Sequence, residues 1–104
     1  MLKREMPEID TDHAFEPSIK ILLRIMQSIR ENNFIGRTAL ALESNINYAV
    51  LSRYLDWLQS ISVIESVVLD GRVHICMTEK GRKFAVELYN FSLQFASLID
   101  KISV

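Results

Sequence analysis

The side chains that most often carry out chemistry in proteins are scarce in this chain. His74 and Cys76 stand two residues apart in an apolar segment with strand character, so their side chains would share one face. A thiol beside an imidazole could act as a nucleophile or supply two ligands of a metal site. The chain has only one Cys and two His, however, and it contains no zinc-ligand spacing, glycine-rich phosphate loop, nucleophile elbow or carboxylate pair. The sequence therefore predicts no enzyme, metal site or cofactor, and we interpret Cys76 as a small apolar residue.

The composition is typical of one globular domain in the cytoplasm. Of the 104 residues, 49% are hydrophobic and 24% are charged, which is ordinary for a folded domain of this length. No apolar run approaches the roughly 18 residues that span a membrane, and the first residues lead into acidic rather than apolar sequence. The single Cys is typical of a reducing compartment. We therefore expect a soluble, cytoplasmic protein.

Charge is distributed unevenly, although the formal net charge is only −1. Residues 1–16 contain five acidic and two basic residues and show no sustained periodicity, which predicts a loosely ordered acidic arm. Residues 17–87 contain nine basic and seven acidic residues, so the folded centre is slightly basic. Such a balance permits an anionic partner, although it does not require one.

Hydrophobic periodicity predicts three helices after the arm. The first begins near Pro17, repeats apolar residues at three-and-four spacing and ends at two asparagines. A short helix over 39–44, with Thr38 as its cap, follows it. After a turn of about three residues comes a longer helix over 48–61, which Asn47 caps. A short helix, a tight turn and a longer helix form a helix-turn-helix.

The segment "VVLDGRVHICM" (residues 67–77) predicts a β-hairpin, since it contains the end of one strand, a turn and a second strand. Asp70-Gly71 is typical of a two-residue type I′ turn, in which Gly accepts positive φ. This turn pairs residue 69 with 72, 68 with 73, 67 with 74 and 64 with 77. Alternation then assigns one face to the core (Ile64, Val68, Val73, Ile75 and Met77) and leaves the other to Val67, Leu69, Arg72, His74 and Cys76.

The last predicted helix, which Thr78 caps, is too long for the rest of the chain to cover. Its roughly 24 residues would span about 36 Å. Apolar residues recur along it with heptad spacing and form a seam of Phe84, Leu88, Phe91, Phe95, Leu98 and Ile102. The first two could pack on the first helix of the same chain, but the outer four need another partner. We therefore expect a homodimer through this helix, and the residues alone leave parallel and antiparallel pairing open.

Two segments, "NINYAVLSRYLDWLQSISVIE" and "DGRVHICMTEKGRKF", resemble archaeal-type winged helix-turn-helix DNA-binding proteins, a group of small transcriptional regulators and chromatin proteins. The resemblance covers roughly residues 17–104, and the Thr-Glu-Lys-Gly-Arg segment is its most specific part. It implies that helix 48–61 is the recognition helix, that the hairpin is the wing, and that the last helix forms an antiparallel coiled coil in a homodimer. The implied fold is mainly α with a small β-hairpin (α+β). We therefore divide the chain into the acidic arm over 1–16, a winged helix-turn-helix domain over 17–78 and a dimerisation helix over 79–104.

The resemblance also indicates which residues would face DNA. Arg53 and the stretch from Asn47 to Ser52 would meet the major groove, and Arg72 would reach the adjacent backbone or minor groove. Arg37 and Lys80 would hold phosphates. The predicted DNA-binding residues are thus Arg37, Asn47, Tyr48, Ala49, Ser52, Arg53, Arg72 and Lys80. Asn47 is equally explained as a helix cap.

Some features of the recognition helix count against strong binding. Asp56 would face phosphates, so we expect modest affinity per subunit and a need for the dimer. Trp57 is either a partly exposed contact residue or packed under the wing or the arm. Such sequences usually end this helix with Gly, whereas this chain has Ser62, which leaves the usual C-cap in doubt.

Double-stranded DNA binding by a homodimer that regulates transcription is the function that these patterns favour. One alternative is a winged-helix module that binds protein, which the scarcity of cations on helix 48–61 and the apolar residues Val67 and Leu69 would suit. Another is a nonspecific architectural chromatin protein. Steep salt dependence of binding would distinguish DNA binding from the first alternative, and a sequence preference would distinguish a regulator from the second.

Overall fold

The computed structural model describes residues 15–103 and contains four helices and one hairpin. The helices are α1 (Ile19–Glu31), α2 (Arg37–Ser44), α3 (Tyr48–Ser60) and α4 (Glu79–Ser103), and the strands are β1 (Ile64–Leu69) and β2 (Arg72–Met77). The strands pair antiparallel in a two-stranded sheet. The predicted fold class, mainly α with a small β-hairpin and a long last helix, is confirmed. Among residues 15–103, no helix combines the length and the apolar composition that crossing a membrane requires.

The core lies between α1, α3 and the base of the hairpin. Each of these elements buries one apolar face, because its apolar residues recur with the period of the element. Each side chain that is fully buried stabilises the fold by roughly 1.5–3 kcal/mol relative to exposure. The largest fully buried side chains are Ile25, Met26, Ile29, Leu40, Leu51, Leu55, Leu58, Val63, Ile64 and Ile75. This core holds α2 and α3 in a fixed helix-turn-helix arrangement, with the hairpin beside them.

The beginning of α2 differs from the prediction. Gly36, and not Thr38, is the N-cap, and α2 begins at Arg37. Ile35 forms an isolated bridge with Ile75, through N–H to carbonyl bonds of 3.0 and 2.7 Å. The bridge holds Ile35 extended, so the chain turns into the helix directly after it. The earlier start is therefore set by a contact with β2 that local propensity does not contain.

The turn between α2 and α3 is held by several hydrogen bonds. Asn45 has left-handed backbone geometry (φ 56°). Its N–H and that of Ile46 bond to the carbonyls of Leu42 and Ala41, at 3.2 and 3.0 Å, which is a Schellman arrangement. The guanidinium of Arg24 donates to the Ser44 carbonyl through two nitrogens, at 2.8 and 3.0 Å. These bonds satisfy the carbonyls at the end of α2 and fix the direction in which α3 leaves.

The end of α3 has the same arrangement, with Ser62 where glycine is usual. Ser62 has φ 67°, its N–H bonds to the Gln59 carbonyl at 3.0 Å, and the N–H of Val63 bonds to the Leu58 carbonyl at 3.1 Å. Val63 and Leu58 are both buried, which supplies the apolar contact of the motif. The C-cap therefore forms even without glycine, and the serine carries the steric cost of the left-handed conformation.

Replacing Ser62 by glycine is accordingly expected to stabilise the protein. The substitution removes the Cβ that makes φ 67° unfavourable, and it keeps every backbone hydrogen bond of the cap. The free energy of unfolding should rise by about 1 kcal/mol, and the melting temperature by about 4–8 °C. Thermal denaturation followed by circular dichroism measures the change. Ser60→Gly, inside α3, is the matched control and should lower the melting temperature; a lower melting temperature for Ser62→Gly would contradict the assignment.

The register of the hairpin is confirmed, but part of its predicted burial is wrong. Residue 69 pairs with 72, 68 with 73, 67 with 74 and 64 with 77, and both turn residues, Asp70 and Gly71, have positive φ. Of the five residues assigned to the core face, Val68 and Val73 are 68% and 53% exposed. Their end of the hairpin, residues 68–73, extends past the helices, so none of the described residues covers either of its faces.

Cys76, which was assigned to the outer face, is buried at the base of the hairpin. Its Sγ lies 3.8 Å from Oε2 of Glu65 on the paired strand. Burial raises the pKa of the Cys76 thiol, and the negative charge and hydrogen bond of Glu65 raise it further. The thiol is therefore neutral near pH 7. Within residues 15–103, no three His, Cys, Asp or Glu side chains are grouped as metal ligands would be.

The entry into α4 is organised by Thr78, as predicted. Its Oγ1 accepts from the N–H of Gly81 at 2.9 Å and donates to the Ser62 carbonyl at 2.7 Å. Its own N–H bonds to the Val63 carbonyl at 3.1 Å. One residue thus caps α4 and attaches its first turn to the segment that follows α3.

Among the described residues, only the first half of α4 packs against the rest of the chain. Ala85 is buried, and Phe84 and Leu88 pack against the core. From residue 93 onward every described side chain of α4 is exposed. The exposed large apolar residues of the helix are Val86, Tyr89, Phe91, Leu93, Phe95, Leu98, Ile99 and Ile102. The inner two residues of the predicted seam therefore contact the body of the protein, and the outer four do not.

Candidate nucleic-acid interface

Within residues 15–103, the side of α3 opposite the core is left largely exposed. Leu51, Tyr54, Leu55 and Leu58 face inward and are buried. The outward face, defined here as Tyr48, Ala49, Ser52, Arg53 and Asp56, is exposed except for Ser52, which is half-buried. A recognition helix requires such a face, because the amino-terminal part of the helix enters the major groove.

Arg53 packs against Phe15, an aromatic residue from the segment before α1. Its Cζ lies 5.6 Å from the ring centroid of Phe15. Phe15 packs edge-on against Tyr54 at 5.1 Å and lies 5.6 Å from Trp57. The Tyr54 hydroxyl also accepts from the N–H of Ser18 at 2.9 Å, so the segment before α1 is attached to α3. A cation over an aromatic face gains roughly 0.5–1 kcal/mol at an exposed site, which restrains the guanidinium.

Phe15 was missed by the sequence analysis, which placed it at the end of the acidic arm. Residues 1–14 of that arm lie outside the described residues, whereas Phe15 is half-buried on α3. The contact between Phe15 and Trp57 confirms the interpretation that Trp57 packs under the segment preceding α1. The sequence did contain one indication of this contact. Tyr54 and Trp57 are three residues apart, so they form an aromatic side of α3 on which another apolar side chain could pack.

Arg37 and Asp56 connect α2 to α3. The Arg37 Nη2 lies 3.7 Å from Oδ1 of Asp56, whose side chain is 77% exposed. An exposed pair of this kind contributes little to stability. The pair matters more for the predicted interface, because it places a carboxylate beside Arg37, one of the cations predicted to hold phosphate.

Asn47 acts as a helix cap. Its Oδ1 accepts from the N–H groups of Ala49 and Val50, at 2.8 and 3.3 Å. A bidentate contact with adenine requires the amide oxygen to accept and the amide nitrogen to donate at the same time. With the oxygen already engaged, Asn47 retains only its donor for DNA.

The remaining predicted residues lie on other elements. Arg72 follows the turn of the wing, and Lys80 lies in the first turn of α4; both are exposed. The structure thus brings Arg37 together with the outward face of α3, and it presents Arg72 and Lys80 from the wing and from α4. The wing itself exposes apolar side chains, Val68, Leu69 and Val73, beside Arg72.

The comparisons with known proteins agree with this architecture. A family model described as winged helix-turn-helix matches residues 17–94. The chain therefore belongs to the winged helix-turn-helix family, as the resemblance in its sequence indicated. A search of curated proteins finds no match.

Solved structures share the fold at low sequence identity. Sso10a-2, a DNA-binding protein from Sulfolobus solfataricus, is 23% identical over 85% of this chain and 94% of its own, with a TM-score of 0.69. A Listeria innocua protein of unknown function is 19% identical over 88% of this chain and 76% of its own, with a TM-score of 0.63. A MarR-family transcriptional regulator from Silicibacter pomeroyi is 21% identical over 79% of this chain and 59% of its own, with a TM-score of 0.60. The chain has the winged-helix fold that these proteins share.

Proposed function

We propose that this protein binds double-stranded DNA as a homodimer and regulates transcription. The observation that carries the proposal is the outward face of α3, which is free of the core and carries Arg53 on a helix whose two ends are capped. The winged-helix family and the likeness to Sso10a-2 and to MarR-family regulators support it. The role proposed is binding, and no reaction is assigned to the chain.

In the proposed complex the amino-terminal half of α3 enters the major groove. Arg53 contacts phosphate or base edges, and the hydroxyls of Tyr48 and Ser52 form hydrogen bonds. Arg72 reaches the backbone beside the wing, and Arg37 and Lys80 hold phosphates. Asp56 opposes the phosphates and competes for Arg37, so each subunit binds modestly. Two subunits joined through α4 then double the number of phosphate contacts and present two recognition helices.

Fluorescence anisotropy with a labelled random duplex, repeated from low to physiological salt, tests the proposal. A DNA-binding winged helix should show saturable binding that weakens steeply with salt, since phosphate contacts release counterions. Absence of binding to random duplexes at low salt, together with failure to recover any preferred duplex by selection, would contradict the proposal. A regulator should also prefer some duplexes over random ones by 1,000-fold or more, on the order of other specific DNA-binding proteins. A ratio near one would indicate an architectural protein.

Replacing Arg53 by alanine is expected to weaken DNA binding and to lower the salt slope by about one, because one phosphate contact is lost. Lys101→Ala, in the last turn of α4, removes the same charge far along the helix and serves as the control. Its salt slope should equal that of the original protein. If Arg53→Ala and Lys101→Ala have the same slope, Arg53 does not contact phosphate in the complex.

A second candidate function is favoured by the exposed apolar residues of the wing, Val68, Leu69 and Val73. A wing that binds phosphate backbones would usually present cations there, whereas an apolar surface suits a protein partner. This alternative predicts no salt-dependent binding to any duplex. The anisotropy titration therefore distinguishes the two functions.

A further inference from the structure

We infer that α3 distinguishes DNA sequences through the 5-methyl groups of pyrimidines in the major groove, which Ala49 and Val50 contact. The inference rests on the proposed DNA-binding function and names the feature of the duplex that the site takes. It follows from which side chains of α3 are engaged within the protein and which are left free.

Most polar groups at the amino-terminal end of α3 already have partners. The Asn47 Oδ1 is used by the N–H groups of Ala49 and Val50, so neither backbone donor is available to DNA. The Asp56 carboxylate is paired with Arg37, and the Arg53 guanidinium lies over Phe15, which restrains its position while leaving its N–H groups free to donate. Direct hydrogen bonding to bases from this helix therefore depends on the hydroxyls of Tyr48 and Ser52 and on the restrained guanidinium of Arg53. Hydroxyls both donate and accept, and so they discriminate weakly between bases.

The free surface of the first turn is apolar. Ala49 points directly away from the buried face of α3, and Val50, beside it, is 39% exposed. Because the Asn47 cap fixes this turn, the two side chains are presented in one orientation. They lie in the part of a recognition helix that approaches base edges.

Only one base edge offers an apolar group to such a surface. In the major groove, thymine carries a 5-methyl group, whereas adenine, guanine and cytosine present hydrogen-bonding atoms. Contact between Ala49 or Val50 and this methyl removes apolar area from water on both sides. The matching ligand is a duplex rich in thymine, and 5-methylcytosine, which places a methyl group at the same position, should substitute for it.

Four duplexes of equal length and charge test the inference: alternating d(A-T), d(A-U), d(G-C) and d(G-5-methyl-C). Uracil lacks the thymine methyl, and methylation adds it to cytosine, so each pair differs only in the groove that α3 enters. In anisotropy titrations at low salt, Kd should rise about fourfold for each contacted methyl that is removed and fall by a similar factor for each one added. Phosphate contacts are the same within each pair and cannot produce the difference.

Val50→Ala identifies the residue responsible. The ratio of Kd for d(A-U) to Kd for d(A-T) should move toward one in this variant, which keeps a good helix former and therefore keeps the fold. Val86→Ala, an equally small truncation at an exposed valine of α4, should leave the ratio unchanged. Circular dichroism confirms that both variants are folded.

The possible failures are distinguishable. Equal binding to both members of each pair would overturn methyl recognition and leave the proposed DNA binding intact. A methyl dependence that Val50→Ala retains in full would overturn the assignment to Val50. Binding to none of the four duplexes at low salt, together with failure to recover any duplex by selection, would contradict the proposed function itself.

Discussion

Replacing Gly81 by alanine is expected to lower the free energy of unfolding by about 3 kcal/mol or more, the upper range for overpacking. A Cβ at this position would overlap the Val63 carbonyl oxygen and lie 2.7 Å from Cγ of Met77. Met77 is a flexible side chain and could move. The Val63 carbonyl is backbone, it accepts the Thr78 N–H at 3.1 Å, and Val63 is itself buried in the Schellman turn that ends α3. Relief of the clash therefore requires α4 to separate from the body.

Thermal denaturation followed by circular dichroism measures this effect, with a fall in melting temperature of about 12–24 °C expected from about 3 kcal/mol. The other two glycines are matched controls. Gly71→Ala meets no atom within 4 Å and only has to adopt φ +74°, so it should cost about 1–2 kcal/mol. Gly36→Ala meets the Val73 carbonyl oxygen at 4.0 Å, an ordinary contact, and should change stability by about 1 kcal/mol or less. A melting temperature for Gly81→Ala close to that of Gly36→Ala would show that α4 can shift without loss.

Features encoded by neighbouring residues were the ones that the sequence predicted well. The Asp70-Gly71 turn determines the register of the hairpin, because a two-residue turn leaves one pairing for all residues that follow. Asn47 and Thr78 were recognised as caps, since a cap needs only its own side chain and an N–H two or three residues ahead. The length of α4 relative to the rest of the chain predicted the change from buried to exposed along it, because only its first turns can reach α1.

Features that depend on distant contacts were not predictable in this way. The start of α2 at Arg37 depends on the bridge between Ile35 and Ile75, which are 40 residues apart. The exposure of Val68 and Val73 depends on how far the wing extends beyond the helices, which alternation cannot indicate. The position of Phe15 depends on its contact with Tyr54 of α3. The sequence alone places Phe15 in a polar segment, because it does not show that contact.

The candidate interface shows the same distinction for charge. Sequence identifies Arg37 and Arg53 as cations near the recognition helix, but it does not show that one is paired with Asp56 and the other lies over Phe15. The carboxylate offsets the charge of Arg37, the ring restrains Arg53 without changing its charge, and the Asn47 cap removes an acceptor for adenine. The amino-terminal end of α3 still presents the hydroxyls of Tyr48 and Ser52, and beside them the apolar side chains of Ala49 and Val50. A count of charged residues therefore does not describe how this surface meets base edges.

Replacing Phe95 by aspartate is expected to convert the proposed homodimer into monomers. Phe95 is 52% exposed within one chain, and its ring stacks on that of Phe91 at a centroid distance of 6.4 Å. In an antiparallel pair centred between these two rings, Phe91 of one subunit meets Phe95 of the partner, Leu88 meets Leu98, and Phe84 meets Ile102. Because the aspartate occurs twice in such a dimer and has no cation opposite it, the dissociation constant of the dimer should rise at least about 100-fold.

Leu93→Asp is the matched control, because Leu93 is also 52% exposed but lies on the opposite side of α4 from the seam. Sedimentation velocity over a range of concentrations should show dimers for Leu93→Asp and monomers for Phe95→Asp. Both variants should retain helical circular dichroism, since neither side chain contributes to the core of its own chain. Dissociation by Leu93→Asp alone would place the interface on the other face of α4, and dimers in both variants would place it outside this helix. If Phe95→Asp is monomeric, its weaker binding to duplex DNA then measures how much of the affinity depends on having two recognition helices in one particle.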